Sequence, residues 1–406
     1  MGRKSQYDIL GVSSQKSGVH RAVRTFDPGI YPDAFCKILE DHLGGDPDYC
    51  NVIHADTAGT KASLAYLYAK VTGDLKAILQ LPSNSLEMNF GDVECIGATG
   101  EYPILVSSTI GRNKKKFTDE YLQPLLKGTE VHLQKLRELG MKVYSGGGET
   151  ADVGDLVRAV DIGHTIVTRM PRKDVIRINI QPGDAIVALA SDGQALYENE
   201  PNSGLASNGY TLARHGVLDA RYGKKYPETF DTDLPARKVY RGSLLLTDEY
   251  PGLPLTVGQA LLSPTRSMAP VLRSILENRE GIHGIIHNTG GAHEKVNGFL
   301  PGSSNYRKSG PKIQVVKDNL FRIPPVFTMI KRESNTTWHE MFQVFNCGAL
   351  MELYVTPDRV DDIVASAAAF GIAARQIGEC YKAEKSGVTI RSPFGTFTYP
   401  VRKRAA

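Results

Sequence analysis

The stretch Asn51 to Lys61, NVIHADTAGTK, carries the residue types best suited to phosphate chemistry. Asn51 to Ala55 alternates and includes β-branched residues, the pattern of a strand, and Asp56 falls where that strand emerges. Thr57, Ala58, Gly59, Thr60 and Lys61 follow: small residues that let backbone N–H groups approach a ligand, two hydroxyls and one cation. Ala62 to Val71 then has the spacing of a helix that begins at this turn. Strand, acid, small-residue turn and helix suit a magnesium ion and a polyphosphate. The order is not that of a P-loop, because His54 stands where the first glycine belongs and Gly-Thr-Lys replaces Gly-Lys-Ser/Thr. A capping Asp56 with a solvated Lys61 explains the same residues without a ligand.

Asp92, Glu149 and Asp152 also sit beside or within glycine-containing turns, and a magnesium nucleotide site is made of such oxygen ligands with phosphates completing the shell. For Asp152 a cap or salt bridge is the simpler expectation. Gly147, Gly148, Glu149 and Thr150 lie in a run that resembles a dinucleotide loop but has Ala151 in place of its last glycine. Thr289-Gly290-Gly291 follows a strand and forms a second small anion-binding turn. His287, just before it, is placed to bond a phosphate or move a proton. His283 reads as a satisfied core or edge histidine, since no third metal ligand or HEXXH pattern accompanies it. Ser207, Asn208 and Gly209 stand directly ahead of a helix, where free N–H groups bind phosphate and where an N-cap would use the same residues. No nucleophile elbow or Cys/His arrangement supports covalent catalysis.

The elements that must position these groups alternate. Helices are expected over Ala34 to His42, from Thr118 to Leu139 with Pro124 in its first turns or kinking it, and over Gly209 to Val217, Met268 to Asn278 and Trp338 to Phe345, while Leu86 to Gly100 reads as a helix or turn that carries Asn89 and Asp92. Strands are expected over Ile104 to Thr109, Met141 to Tyr144, Val157 to Met170, Ala185 to Ala190, His283 to His287, Ala349 to Val355 and Ala374 to Tyr381. Ser145 to Thr150 reads as the loop that Met141 to Tyr144 delivers. Alternation within strands favours sheets with one exposed face, so α+β is preferred to a doubly wound sheet. Residues 1–23 read as a polar arm, and 302–310 as a surface loop.

The chain has 406 residues, enough for two domains. The polar Pro171 to Asp184 connection divides them into 1–175 and 176–406. A net charge of +4 is too weak to argue for nucleic acid. The 40 glycines, nearly one residue in ten, suggest many ligand-approach turns. The 5 cysteines are odd in number and scattered, which argues against a disulfide framework and a structural zinc. No signal peptide or membrane span is read, so a cytoplasmic setting is expected.

In this order the pieces resemble the aminoimidazole ribonucleotide synthetase (phosphoribosylformylglycinamidine cyclo-ligase) family. DTAGTK (Asp56 to Lys61) is similar to that family's DGVGTK, GDVECIGA (Gly91 to Ala98) to NDLxxxGA, and GGETAD (Gly147 to Asp152) to GGETAxMPG. SGLASNGYTLAR (Ser203 to Arg214) is similar to SGLHSNGYSLVR, LLSPTR (Leu261 to Arg266) to LLxPTR, HNTGGA (His287 to Ala292) to HxTGGG, and EMFQVFNCGALM (Glu340 to Met351) to EMxxTFNxGxGM. YDILGV (Tyr7 to Val12) resembles its N-terminal arm. The resemblance implies an N-terminal α+β domain that pairs across a homodimer as a β-barrel, a C-terminal α/β domain, and a site for ATP and Mg2+. It implies ATP-dependent closure of formylglycinamidine ribonucleotide to aminoimidazole ribonucleotide in purine biosynthesis, with no nucleic-acid or membrane partner. It assigns Asp56 and Asp92 to magnesium, and Gly59, Thr60 and Lys61 to nucleotide phosphates. Ser207, Asn208 and Gly209, with Thr289 and Gly290, go to substrate or nucleotide phosphate, and His287 to proton transfer or substrate binding. The chain departs at Ala206, where the family has histidine, at Gly91, which replaces asparagine, at the missing MPG, and at a Gln194 to Asn202 insertion. These departures keep two alternatives open: another member of the superfamily, such as a small-molecule kinase or a formylglycinamidine synthetase, or a nucleotide-binding homodimer without catalysis.

Overall fold

The computed structural model describes residues 5–13, 18, 22–303 and 310–401. The remainder of the expected N-terminal arm, most of the 302–310 loop and the last five positions lie outside the described residues. Two sheets organise the chain. The first contains β1 (Leu39–Glu40), β2 (Tyr49–Thr57), β3 (Ile104–Arg112), β4 (Val143–Asp152) and β5 (Val160–Pro171), in the order β1-β2-β5-β3-β4. Only β3 and β4 run parallel. The sheet is open in the single chain, with β1 and β4 at its edges. Helices Lys76–Glu94 and Asp119–Glu138 cover one face, where Leu86, Phe90, Val93, Leu133 and Leu136 pack on Val52, Ile104, Val106, Val143 and Ile166.

The second sheet contains β6 (Ala185–Ala190), β7 (Ile282–His287), β8 (Ile313–Lys317), β9 (Ala349–Val355), β10 (Ala374–Lys382), β11 (Gly387–Ser392) and β12 (Gly395–Pro400), ordered β12-β11-β8-β10-β6-β9-β7. Only β8 and β11 run parallel. Unlike the first sheet, its central strands are buried on both faces: Ile186, Ala188 and Tyr354 join one core, and Val187, Leu189 and Leu353 the other. Antiparallel order with two covered faces still makes an α+β fold. No described helix is long and apolar enough to cross a membrane.

Two local expectations are corrected. Residues 34–42 form turns and the short strand β1 instead of a helix, because Ala34, Cys36 and Ile38 alternate into the first core. Ser145 to Thr150 is not a loop but part of β4, since pairing with β3 carries the ladder through the glycines, with an irregularity between Val106 and Ser108. Residues Gln6–Ile9 dock on the second half of the chain, where Tyr7 N–H donates to Glu340 Oε1 (2.8 Å) and Arg241 Nη2 donates to Gln6 Oε1 (3.0 Å).

Candidate active site

Period-two geometry puts Val52, His54 and Asp56 on the helix-covered face of β2, and Ile53, Ala55 and Thr57 on the other. The Lys76–Glu94 helix brings Asn89 and Asp92 against the first group. Asn89 Nδ2 donates to the carbonyls of Ser85 (2.8 Å) and His164 (3.1 Å), which can only accept. Its Oδ1 is thereby turned to His54 Nδ1 at 2.8 Å, so that nitrogen carries the proton. His54 Nε2 then faces Asp92 Oδ2 at 3.4 Å. Burial pulls the His54 pKa down, but the Asp92 carboxylate, then Asn89 and Asp56, outweigh it and the net shift is upward.

Asp92 is the point of convergence. Its Oδ1 lies 2.8 Å from His287 Nδ1 and 3.9 Å from Lys295 Nζ. Burial alone would raise its pKa, yet Lys295 and hydrogen bonds from His287 and His54 hold the carboxyl well below the usual range. Gly91 makes the approach possible: a Cβ there would stand 2.5 Å from His287 Cε1. Lys295 also donates to Thr289 Oγ1 and lies 4.6 Å over the Phe35 ring. Two buried thiols flank the turn, Cys36 donating to the Asp92 carbonyl and Cys95 to the Gly91 carbonyl, each at 3.2 Å.

The 203–209 turn packs against this cluster from the second half of the chain. Asn208 reaches Met88 of the long helix and lies beside Gly290. Ser207 Oγ bonds Thr265 Oγ1 (2.7 Å) and Asn84 Oδ1 (3.2 Å), and Thr60 Oγ1 meets Thr211 Oγ1 at 3.1 Å. Lys61 is only 1% exposed. Its Nζ donates to Asn84 Oδ1 (2.5 Å), Ser263 O (2.6 Å) and Ala206 O (3.0 Å), with the Tyr210 ring 5.0 Å away. Burial pulls its pKa well down. The structure therefore places Lys61 as a clamp between the two halves, with its donors on protein acceptors. Arg266 pins the end of β6 in a similar way, bonding the carbonyls of Ala190, Asp192 and Gly193 and the Glu198 carboxylate.

The structure thus brings Asp92, His287, Thr289, Gly290 and Asn208 together, with Asp56 two residues beyond His54 on the same strand face. Gly148 lies in the row of Ser108, His164 and Asp56, three strands from Asp56 at the edge of the sheet, and Glu149 points the other way. Glu149 pairs with Thr109, which pairs with Gly163, which pairs with Thr57. That row puts Glu149 on the uncovered face at an edge strand, opposite the face that carries Asp56. Asp152 accepts from Arg112 Nε (2.8 Å), and His283 bonds Asp184 (2.8 Å). The motifs give His54 and Asn89 no role, and Lys295 falls in none of them. The two-residue spacing of His54 and Asp56 was the available signal for the first, whereas Lys295 reaches the cleft only through the tertiary fold.

Asp56 Oδ1 accepts from its own Thr57 N–H (2.7 Å). Among the described residues no group of three or more His, Cys, Asp or Glu side chains is arranged to hold a metal. A hard divalent ion is compatible with this donor set, as Asp56 and Asp92 supply oxygen and the rest of the shell would come from nucleotide phosphates and water.

Residues 181–391 match the family model described as AIR synthase related protein, C-terminal domain. The chain belongs to this family. It is similar to the phosphoribosylformylglycinamidine cyclo-ligase of Methanocaldococcus jannaschii, 26% identical over 82% of this chain and 78% of the relative. It is 29% identical to the protein of that name from Symbiobacterium thermophilum, over 95% of both chains. Among solved structures, T. maritima PurL complexed with ADP aligns over 98% of this chain and 50% of that one, at 10% identity and a TM-score of 0.53. AaThiL complexed with AMPPCP and TMP aligns over 94% and 96%, at 11% identity and a TM-score of 0.51. At these identities the two structures speak for the fold alone.

Proposed function

We propose that this family member uses ATP to close formylglycinamidine ribonucleotide into aminoimidazole ribonucleotide. The observation that carries the reading is the cleft in which one carboxylate, Asp92, meets two imidazoles and Lys295 beside the small-residue turns at 207–209 and 289–290. The relatives' shared name supplies the reaction. The γ-phosphoryl group of ATP passes to the formyl amide oxygen, making it a leaving group. The ribose-bearing nitrogen then attacks that carbon, and phosphate and a proton depart. Phosphoryl transfer needs positioning and charge neutralisation more than a nucleophilic side chain.

Mg2+, when bound, would neutralise phosphate charge, and Asp56 and Asp92 are the residues to hold it. Lys295 supplies fixed positive charge beside Thr289, and the 207–209 turn and Gly290 supply N–H groups for phosphate oxygens, the Thr289 N–H being bonded to the His287 carbonyl. With Nδ1 committed to Asp92, His287 presents Nε2 as the atom that takes the proton lost on ring closure. Purified protein incubated with formylglycinamidine ribonucleotide, ATP and Mg2+ should yield the aminoimidazole product. ATP binding without product would favour the non-catalytic alternative. Gly91→Ala should cut product formation by about a hundredfold, because the new methyl displaces the His287 ring from Asp92. Wild-type rates in that variant would remove the Asp92–His287 contact from the mechanism.

A homodimer formed through the first sheet belongs to the same proposal. Ile53, Val167, Leu105 and Tyr144 pair in one row across its uncovered face, and Ile53, Leu105 and Tyr144 are each about half exposed. Burying such side chains is worth roughly 1.5–3 kcal/mol each. Leu105→Glu should therefore turn a sedimenting dimer into a monomer. A wild-type protein that sediments as a monomer at micromolar concentration would count against the pairing.

A further inference from the structure

Behind the cleft lies a charged cluster that the proposed chemistry does not use. Glu352, on β9, is fully buried and pairs in register with Ala188 on one side and Ile286 on the other. Its carboxylate takes Lys317 Nζ at 2.5 and 2.7 Å, Asn288 Nδ2 at 2.9 Å, Tyr354 OH at 2.8 Å and His293 Nδ1 at 3.2 Å. Lys317 donates also to the His293 carbonyl (2.9 Å). His293 Nε2 meets the Asn346 carbonyl at 2.8 Å, and Asn346 Nδ2 donates to the Gly204 carbonyl at 2.9 Å. Glu352 thus holds the 287–293 turn at Asn288 and His293, and His293 carries the contact onward through Asn346 to Gly204 of the 203–209 turn. These are the two turns that line the cleft from the second half of the chain.

Stability alone gives no reason for charge here. Replacing a buried ion pair with apolar side chains of similar volume is often neutral or stabilising, and the neighbouring positions on β6 and β9 are apolar. Directional bonds can fix where a turn sits, which apolar contact does less well. Asn288 shows the effect. Its Nδ2 faces two acceptors, Glu352 and the Ala349 carbonyl (3.0 Å), while its Oδ1 has no partner among the described residues. The hub dictates the amide orientation at the expense of one oxygen.

We propose that Glu352, neutralised by Lys317, is a positioning residue that sets the spacing of the 203–209 and 287–293 turns and thereby the cleft's grip on a phosphorylated substrate. This rests on the proposed reaction for the identity of the substrate, not for the geometry.

Two readouts test it. Hydrogen exchange on the wild-type chain should show the amides of Asn288, Thr289 and Ala292, which bond Leu350 O, His287 O and Thr289 O, as protected as those of β9. Exchange as fast as that of exposed loops would overturn the proposal. The double variant Glu352→Leu/Lys317→Met removes both charges together. It should fold, exchange these amides and those of 204–209 about tenfold faster, and raise KM for formylglycinamidine ribonucleotide about tenfold while kcat moves less than about threefold. Restoring only one charge, in Glu352→Leu or Lys317→Met alone, should not recover KM. A folded double variant with wild-type exchange and KM would sink the idea. So would a double variant that fails to fold, since the pair would then hold the sheet and not the turns. If the wild type makes no product, the cyclo-ligase reading falls, while the exchange measurement still decides the role of Glu352.

Discussion

Asp92→Ala should lower turnover of formylglycinamidine ribonucleotide by about a thousandfold or more while the protein stays folded. The size follows from how many groups this one carboxylate organises. It orients His287 through Nδ1, faces His54 Nε2, and balances the charge of Lys295. Removing a preorganised electrostatic group from a site that stabilises developing charge costs about a hundred- to a thousandfold, and loss of a magnesium ligand would add to that. The folded state should lose about 1–3 kcal/mol, as the buried His287 and the partly exposed His54 and Lys295 are left without a counter-charge. A pH titration supplies a second check. The carboxyl of Asp92 is held below its unfolded value, so its contribution to stability is present above about pH 4 and fades as pH falls toward the folded pKa. The variant should therefore lose less stability than the wild type between neutral and acid pH. Wild-type turnover in Asp92→Ala would remove Asp92 from the mechanism.

Lys61→Met is expected to act on stability more than on nucleotide affinity, the reverse of what the DTAGTK resemblance implies. The methionine keeps most of the buried stem, so the change isolates the loss of three hydrogen bonds to Asn84, Ala206 and Ser263. Two of those acceptors are backbone carbonyls that link the first half of the chain to the second. Leaving buried acceptors unpaired costs about 1–3 kcal/mol each, part of it recovered at Asn84, whose Oδ1 also accepts from the Thr265 N–H (3.0 Å), and at the Ala206 carbonyl, which also accepts from Tyr210 OH (3.0 Å). A loss of about 3 kcal/mol in the free energy of urea unfolding, with ATP affinity within about threefold of wild type, is the expected result. Unchanged stability with lost ATP binding would return Lys61 to the phosphates.

What was legible in the sequence was what local pattern controls. Ala185–Ala190 is legible because a buried strand reads as an unbroken apolar run, and Ala349–Val355 because its run is interrupted only at Glu352. The long helix after Thr118 was found because its apolar period is clear. The order of motifs identified the family and named Asp92, His287, Asn208 and Thr289, which do converge. Partners set by the tertiary fold were not legible. Lys295 reaches Asp92 across some two hundred positions of sequence only because the β7 exit packs on the long helix. The glycines of Ser145 to Thr150 suggested a loop, and a ladder partner on β3 overrode that propensity. The parity that sends Glu149 to the face opposite Asp56 depends on pairing register, which no motif records.

All five cysteines are buried, and those beside Asp92 have their thiols turned to carbonyls. Burial pushes the Cys36 and Cys95 thiols upward, away from the reactive thiolate. Each sulfur is therefore a silent reporter of its own region: Cys36 and Cys95 of the seam between the two halves, Cys50 of the first sheet, Cys347 and Cys380 of the second. Mass-resolved alkylation during slow urea denaturation would time-stamp the order in which these regions come apart, with no label added to the native molecule.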